Sequence, residues 1–280
     1  MPPGRGGAGH HAAGRGGPLA ARRAGVDPGW LNAQVELDAA YAAVQGRWRS
    51  AIADGGPDAA AAAVPACPGW TVRDVTAHVT GLAEDAAEGT VPDLNLLEQW
   101  RDGDVASERD HMTAGQVGRA EGEPLDALVA RWERVGGRLA PMLRGDEVFP
   151  GHPPFGLAPI LVTDLSVHAQ DVFGALRAPQ LTDGAPVSIA LATYAFGVDY
   201  RIRQLGLGAL VLAYDGKERL LGDPDGPVGA RVEAGRFELM RAFAGRRSRA
   251  QIAALDWSGD PAPYLGIIPA YGERAEPLGD

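Results

Sequence analysis

The chain contains a single cysteine, Cys67, and no long uninterrupted run of apolar residues. One cysteine excludes an intrachain disulfide and a Cys-x-x-Cys redox or zinc motif. No segment approaches the roughly 20 uncharged apolar residues that a membrane-spanning helix requires. These absences favour a protein of the reducing cytoplasm that does not cross a membrane.

Basic residues are also fewer than acidic ones. The 26 Lys and Arg residues against 36 Asp and Glu residues give a net charge of −10. Residues 1–28 hold four arginines and one aspartate, so the acidic excess lies in the rest of the chain. A body of that charge repels phosphate backbones and anionic lipid surfaces, so we expect neither a nucleic-acid nor a membrane partner. The Gly, Ala and Arg content of residues 1–28 predicts a disordered N-terminal tail.

The spacing of apolar residues predicts a mainly α-helical protein with two domains. We expect a helical bundle over residues 29–206 and a small α+β domain over 207–280. The amphipathic helices of the bundle are predicted over residues 30–54, 71–88, 124–143, 159–176 and 185–205. Residues 92–116 read as a polar connection with short helices.

The C-terminal part shows a different pattern. Two apolar runs flank Asp215–Gly216, which is typical of a β-hairpin turn. Residues 228–234 predict a third strand, and 236–245 and 248–255 predict two short helices. From Trp257 onward, the Pro and Gly content predicts irregular coil.

Two histidines lie in segments that otherwise have the pattern of buried helices. His78 adjoins the apolar stripe of the second predicted helix, while Asp164, His168 and Asp171 share one face of the fourth. Facing helices of a bundle converge in its core, where two imidazoles and a carboxylate suit Zn²⁺ and leave its fourth position open. One shared ion requires the two imidazoles to lie within about 8 Å of each other. Asp171 would then be the carboxylate that orients an imidazole.

The same spacing also has a purely structural interpretation. Asp164 and His168 can form an i,i+4 pair worth a few tenths of a kcal/mol. His78 can be a core histidine that bonds a backbone carbonyl. The donor set, if it binds a metal, also suits Fe²⁺ or Ni²⁺.

Three segments resemble a known family. "VPACPGWTVRDVTAHVTGLAEDAAEG" is similar to the N-terminal signature of the mycothiol-dependent maleylpyruvate isomerase family, within the DinB-like superfamily of four-helix metalloproteins. "DLSVHAQDVFGAL" resembles its second metal-bearing segment, and "FELMRAFAGRRSRAQIAALDWSGDPAPY" resembles its C-terminal domain. The resemblance implies a DinB-like four-helix bundle in which His78, Asp164 and His168 hold the metal. Asp164 replaces the usual glutamate, so either the helices lie closer together or the shorter carboxylate binds through water.

The resemblance also implies a function. The open metal position would accept the sulfur of mycothiol, the thiol cosubstrate, which then attacks an electrophile such as maleylpyruvate. The protein would be an isomerase or an S-transferase, and the sequence does not separate the two. Arg246 is the candidate catalytic residue toward a dicarboxylate, and Arg247 and Trp70 are candidates for cofactor binding. The alternative for Arg246 and Arg247 is that they form a solvated basic turn next to a helix end. The alternative for Trp70 is that it only packs against its neighbours.

Another class of function remains open. The C-terminal region loosely resembles sterol-carrier-like domains, so the chain can also be a non-catalytic protein that binds a small molecule or lipid. A zinc-bearing regulator ranks last because its Cys-rich ligand set is missing. Cys67 has no necessary role in the enzymatic interpretation and is expected to be a small buried residue.

Overall fold

The computed structural model describes residues 36–92, 101–152 and 156–279. The tail predicted over residues 1–28 and the predicted start of the first helix at Trp30 lie outside these ranges. Helices dominate the first two thirds of the described chain. The long ones are α1 (Leu37–Gly55), α2 (Val72–Glu88), α3 (Gly103–Arg119), α4 (Leu125–Arg144), α5 (Leu157–Leu176) and α6 (Gly184–Gln204).

Four of these helices form the predicted bundle. Helices α1 and α2 each pack against both α4 and α5, which closes a four-helix arrangement. Its core contains Trp48 of α1 and Trp132 of α4, whose ring centroids lie 5.2 Å apart in an edge-to-face contact. Each indole N–H is satisfied, since Trp132 donates to Tyr41 and Trp48 donates to Thr76. The bundle is therefore held by apolar burial in which the polar atoms of the large aromatics are paired.

Helix α3 corrects the prediction of a polar connection with short helices. It is a single helix of 17 residues that packs on α2, and Asp102 caps its start by accepting from the backbone N–H of Asp104 and Val105. Gln116 is its one buried residue. Because the inward face of α3 mixes polar residues such as Arg109 and Gln116 with half-buried apolar ones, apolar periodicity does not reveal it.

The C-terminal part forms a four-stranded sheet of order β2-β1-β3-β4. The strands are β1 (Ala209–Tyr214), β2 (Lys217–Leu221), β3 (Val228–Glu233) and β4 (Asp256–Gly259). The hairpin prediction is confirmed: β1 and β2 are antiparallel, and Asp215 and Gly216 both adopt positive φ, as a tight hairpin turn requires. Strand β3 is parallel to β1.

Short helices complete this part of the chain. Two of them, α7 (Arg236–Phe243) and α8 (Arg249–Ala253), confirm the sequence prediction. The expectation of irregular coil after Trp257 is wrong for residues 257–265, which contain β4 and α9 (Ala262–Leu265), and it is confirmed for residues 266–279, which form turns and one isolated bridge. Strand β4 and helix α9 each have four residues, and most of the eight are not buried. They therefore lack the run of apolar positions from which a helix or strand is predicted.

Helix α6 connects the two parts. It packs on α5 and also joins the sheet and α7 in a second hydrophobic core. The described fold is thus mainly helical with a small C-terminal sheet, as predicted, whereas the domain division at residues 206 and 207 stays a prediction. None of the described helices combines the length and the apolarity that a membrane crossing needs.

Candidate metal centre

The loop before α2 is closely tied to the start of that helix. The Trp70 N–H donates to the Cys67 carbonyl at 3.0 Å, and Gly69 sits at φ 85°, where a side chain would be strained. Thr71 and Asp74 form a reciprocal capping box at the start of α2, which lies where the sequence predicts that helix to begin. This local structure places Cys67 and Trp70 beside the inner face of α2.

Three candidate ligands meet between α2 and α5. One ligand atom each from His78, Asp164 and His168 can be chosen so that all lie within 4.8 Å of one another. The two imidazole centroids are 5.1 Å apart, well inside the limit set by a shared ion. Asp164 lies between the rings, with its carboxylate oxygens 3.4 Å from His78 Nε2 and 3.7 Å from His168 Nε2. The shorter aspartate therefore reaches between both imidazoles.

The donor set fits a divalent cation. Asp164 Oδ2 is buried and has no hydrogen-bond donor among the described residues. Leaving a buried carboxylate oxygen unbonded is costly, so the position calls for a further positive partner. Burial opposes ionisation of Asp164, but the charges of His78 and His168 outweigh it and lower its pKa. Two imidazole nitrogens and an ionised carboxylate are ligands that Zn²⁺ and neighbouring transition metals accept.

His168 has a charged partner on its other ring nitrogen. Its Nδ1 lies 3.2 Å from Asp171 Oδ2. The Asp171 carboxylate is fully buried and accepts from Arg241 at 2.8 Å and from Arg246 at 2.7 Å. Burial opposes the charge on Asp171, but Arg246 and Arg241 hold its pKa well below the usual range. Burial also lowers the pKa of His168, yet Asp164 and Asp171 outweigh this and raise it to about 10.

His78 has a neutral partner that the sequence analysis missed. Its Nδ1 lies 2.7 Å from Gln116 Oε1 on α3, and Gln116 Nε2 donates to Asp85 Oδ2 at 2.8 Å. Asp85 in turn accepts from Arg119 at 2.7 Å. Since a carboxylate only accepts, the amide nitrogen of Gln116 faces Asp85 and its oxygen faces His78. His78 Nδ1 therefore carries a proton, and Nε2 faces Asp164.

Gln116 approaches α2 closely because Gly81 lacks a side chain. A Cβ on Gly81 would lie 2.7 Å from the Cβ of Gln116. A glycine inside an otherwise regular helix was the signal available in the sequence, since it often marks close approach.

The turn after α7 brings Arg246 to the site. Gly245 adopts φ 71°, and the Arg246 N–H donates to the Arg241 carbonyl at 2.8 Å, which reverses the chain as in a Schellman motif. Arg246 Nε and Nη2 both bond Asp171, and Nη1 donates to the Ala244 carbonyl. Burial lowers the pKa of Arg246, but Asp171 more than compensates and raises it.

The other candidate residues fall in different places. The Trp70 and His78 ring centroids are 5.6 Å apart, and both residues line a cavity above the three candidate ligands. Arg247 does not line this cavity; it is buried and pairs with Glu238. Its predicted part in cofactor binding stays a prediction. Cys67 is half-buried on the cavity wall, with Sγ 3.7 Å from His168 Nδ1.

The cavity has a volume of about 340 Å³. It is open to solvent at one side, and the two imidazoles, Asp164 and Arg246 line its walls. A small molecule that enters can therefore reach the candidate ligands directly.

Comparison with known proteins agrees with the sequence resemblance. Two crystal structures of mycothiol-dependent maleylpyruvate isomerase share the fold. One of them, a histidine-to-alanine mutant, matches at a TM-score of 0.53 and 16% identity, over 80% of this chain and 92% of that chain. The other matches at a TM-score of 0.50 and 18% identity, over 75% and 88% of the respective chains. A comparison with curated proteins found no significant match to the sequence.

Identity this low shows the fold alone, but the sequence also matches a family directly. Residues 41–173 match the mycothiol maleylpyruvate isomerase N-terminal domain. That range contains α2 and nearly all of α5, which carry the three candidate ligands. The similarity to the mycothiol maleylpyruvate isomerase N-terminal domain thus covers residues 41–173, just under half of the chain.

Proposed function

We propose that the protein is a metal-dependent enzyme that uses a small thiol, either a mycothiol-dependent isomerase or a mycothiol S-transferase. The supporting observation is the convergence of His78, Asp164 and His168 within 4.8 Å at a solvent-open cavity, with a buried Asp164 oxygen that has no hydrogen bond among the described residues. Zn²⁺ is the proposed ion, and mycothiol is the proposed cosubstrate because the matched family uses it.

A divalent ion at this position would supply positive charge that favours a thiolate over the thiol at neutral pH. The protein's part is to hold the ligand atoms in place. Gln116 keeps the Nδ1 proton on His78, and Asp171 plays the same part for His168, so both Nε2 atoms face Asp164. Trp70 covers one side of His78 and limits the access of water from that side.

The two candidate reactions share their first step. The thiolate sulfur forms a bond to one carbon of an activated cis double bond, and the electron pair of that bond moves to the adjacent carbonyl group. An isomerase then rotates the resulting single bond, re-forms the double bond as trans and expels the thiolate. A transferase instead protonates the carbon and keeps the thioether. Arg246, on the cavity wall, is the proposed cationic group beside the reacting carbonyl.

Metal analysis of the purified full-length protein tests the proposal. We expect about one zinc ion per chain after dialysis, lost in His78→Ala and in His168→Ala. His111→Ala is the matched control, because His111 is exposed on α3 and outside the site. Metal-free wild-type protein, with both site variants as stable as the wild type, would overturn the enzymatic proposal in favour of a non-catalytic binding protein.

Thiol use has its own test. Adding mycothiol to cobalt-substituted protein should produce a sulfur-to-metal charge-transfer band. An unchanged spectrum at saturating mycothiol contradicts direct contact between the thiol and the metal.

A further inference from the structure

The cavity walls away from the three candidate ligands are mainly apolar. Side chains from α2, α3, α5 and the segment after α2 supply this surface. They are Leu82, Val91, Met112, Leu157, Ile160 and Val167. A ligand that fills the cavity therefore exchanges water for hydrocarbon over most of its surface, which favours apolar groups.

Cationic groups on the described cavity wall are already engaged. Arg246 donates from Nε and Nη2 to Asp171 and from Nη1 to the Ala244 carbonyl, and its Nη2 also lies 3.9 Å from Cys67 Sγ. Four of its five N–H groups thus have an acceptor, and a two-pronged fork to a carboxylate needs two that are open. The guanidinium carbon of Arg109 lies 4.8 Å from the centre of the Tyr271 ring, and its Nε lies 3.9 Å from Asp110.

The charges of the described residues around the site can compensate about one anionic group of a substrate. Asp164 and a thiolate would together neutralise a divalent ion. Asp171 lies between Arg241 and Arg246, which leaves one unbalanced positive charge. A second carboxylate would enter a mainly apolar cavity in which the described residues supply no further unbalanced positive charge, which is costly.

We propose that the electrophile is a mainly apolar molecule with no more than one carboxylate, whose hydrocarbon part lies along the α5 wall at Ile160 and Leu157. This inference rests on the proposed thiol chemistry and names its substrate class. A dicarboxylate is the substrate class that the described cavity disfavours.

Binding of unreactive analogues tests the substrate class. The zinc-supplemented full-length protein is titrated calorimetrically with succinate, monobutyl succinate and dibutyl succinate. Each buried methylene is worth about fourfold in affinity, so we expect at least tenfold tighter binding of monobutyl succinate than of succinate. Equal or tighter binding of succinate overturns the inference.

A charge swap on the apolar wall sharpens the test. Ile160→Arg adds a cation to the cavity one helical turn before Asp164, and Ile160→Gln is the matched neutral control. We expect Ile160→Arg to bind succinate at least tenfold more tightly than Ile160→Gln does, and both variants to lose affinity for dibutyl succinate. If Ile160→Arg leaves the preference between succinate and its esters unchanged, Ile160 does not face the ligand and the inference is wrong.

Turnover separates this inference from the proposed function. Mycothiol-dependent conversion of monobutyl maleate and of maleate is measured, and each rate is divided by its rate without protein. Turnover of the monoester with a ratio at least tenfold higher supports both proposals. Turnover that favours maleate overturns the substrate class while leaving thiol chemistry standing. Selective binding of the succinate esters without any mycothiol-dependent turnover contradicts the proposed function and removes the catalytic basis of this inference.

Discussion

The two imidazoles of the candidate centre are supported in opposite ways. His78 bonds a neutral amide, Gln116, whose orientation is set by Asp85 and, near the surface, by Arg119. His168 bonds a fully buried carboxylate, Asp171, that two arginines compensate. The first support is a chain of hydrogen bonds within the N-terminal helices, and the second is an ion cluster that links α5 to the segment around α7.

This difference separates two physical tasks. The series of hydrogen bonds through Gln116 orients the His78 ring at little electrostatic cost, because the ion pair at its end, Asp85–Arg119, is partly exposed. The charged cluster orients the other ring and also ties the C-terminal part to the bundle, since removing the Asp171 carboxylate would raise the unbalanced positive charge of the cluster from one to two. We therefore expect changes on the His168 side to affect the whole fold and changes on the His78 side to affect mainly the site.

The largest effect is expected for Asp171→Asn. This change leaves Arg241 and Arg246 without their carboxylate, and Arg241 is fully buried. The free energy of unfolding should fall by about 3–5 kcal/mol, as measured by urea denaturation. Asp85→Asn is the matched control and should cost about 1 kcal/mol or less, because its partner Arg119 is half exposed. Similar losses in both variants would contradict the comparison.

Gln116→Leu should act on the site more than on the fold. It leaves the Nδ1 proton of His78 without an acceptor, so zinc affinity should fall roughly 10- to 100-fold in a chelator competition assay.

Gln116→Glu separates orientation from stability. It keeps an acceptor for His78 but opposes Asp85, so it should lower the free energy of unfolding while retaining most of the zinc affinity. Loss of zinc affinity in Gln116→Glu as large as in Gln116→Leu would argue against orientation by hydrogen bonding.

Gly81→Ala should destabilise the protein although alanine favours helices. The new methyl group would lie 2.7 Å from Gln116 Cβ and push α3 away from α2, at a cost of about 1–3 kcal/mol. Gly115→Ala is the matched control, because a Cβ there meets no atom within 4 Å. It should stabilise α3 by up to about 1 kcal/mol. Thermal unfolding of both variants shows whether each change raises or lowers the stability of the protein. A stabilising effect of Gly81→Ala would contradict the close approach of α3 to α2 at Gly81.

The smallest effect is expected for Arg119→Gln. The Arg119 side chain is 49% exposed, so its pair with Asp85 should contribute less than about 1 kcal/mol. The difference in free energy of unfolding between this variant and the wild type should shrink in roughly 1 M salt, where exposed charges are screened. A larger, salt-independent loss would show that the ion pair behaves as a buried one.

Much of the fold was predictable from the sequence because burial leaves a periodic pattern. Helices α1, α2 and α4 to α6 and the β1–β2 hairpin follow apolar spacing and turn residues. Helix α3 does not, since Gln116 is its one buried residue. Arg241 was unpredictable for a related reason: arginine is normally exposed, and only the position of Asp171 makes its burial possible.

The candidate ligands could be predicted from the sequence only in part. The i,i+4 spacing of Asp164 and His168 places them on one face of a helix, so the sequence alone pairs them. His78 joins them only through the packing of α2 on α5. Gln116 lies 38 residues from His78 in sequence, and no local pattern connects the two.

Local chemistry in the chain determined which segments become helices, where α2 begins and which side of α5 carries the acidic and imidazole groups, because these depend on neighbours a few residues away. Tertiary packing alone decided that His78 meets Asp164, that Gln116 orients it and that Asp171 is shared by His168 and two arginines. Those contacts join residues far apart in sequence, and their geometry is set by how close the helices approach and by which charges must be compensated once water is excluded.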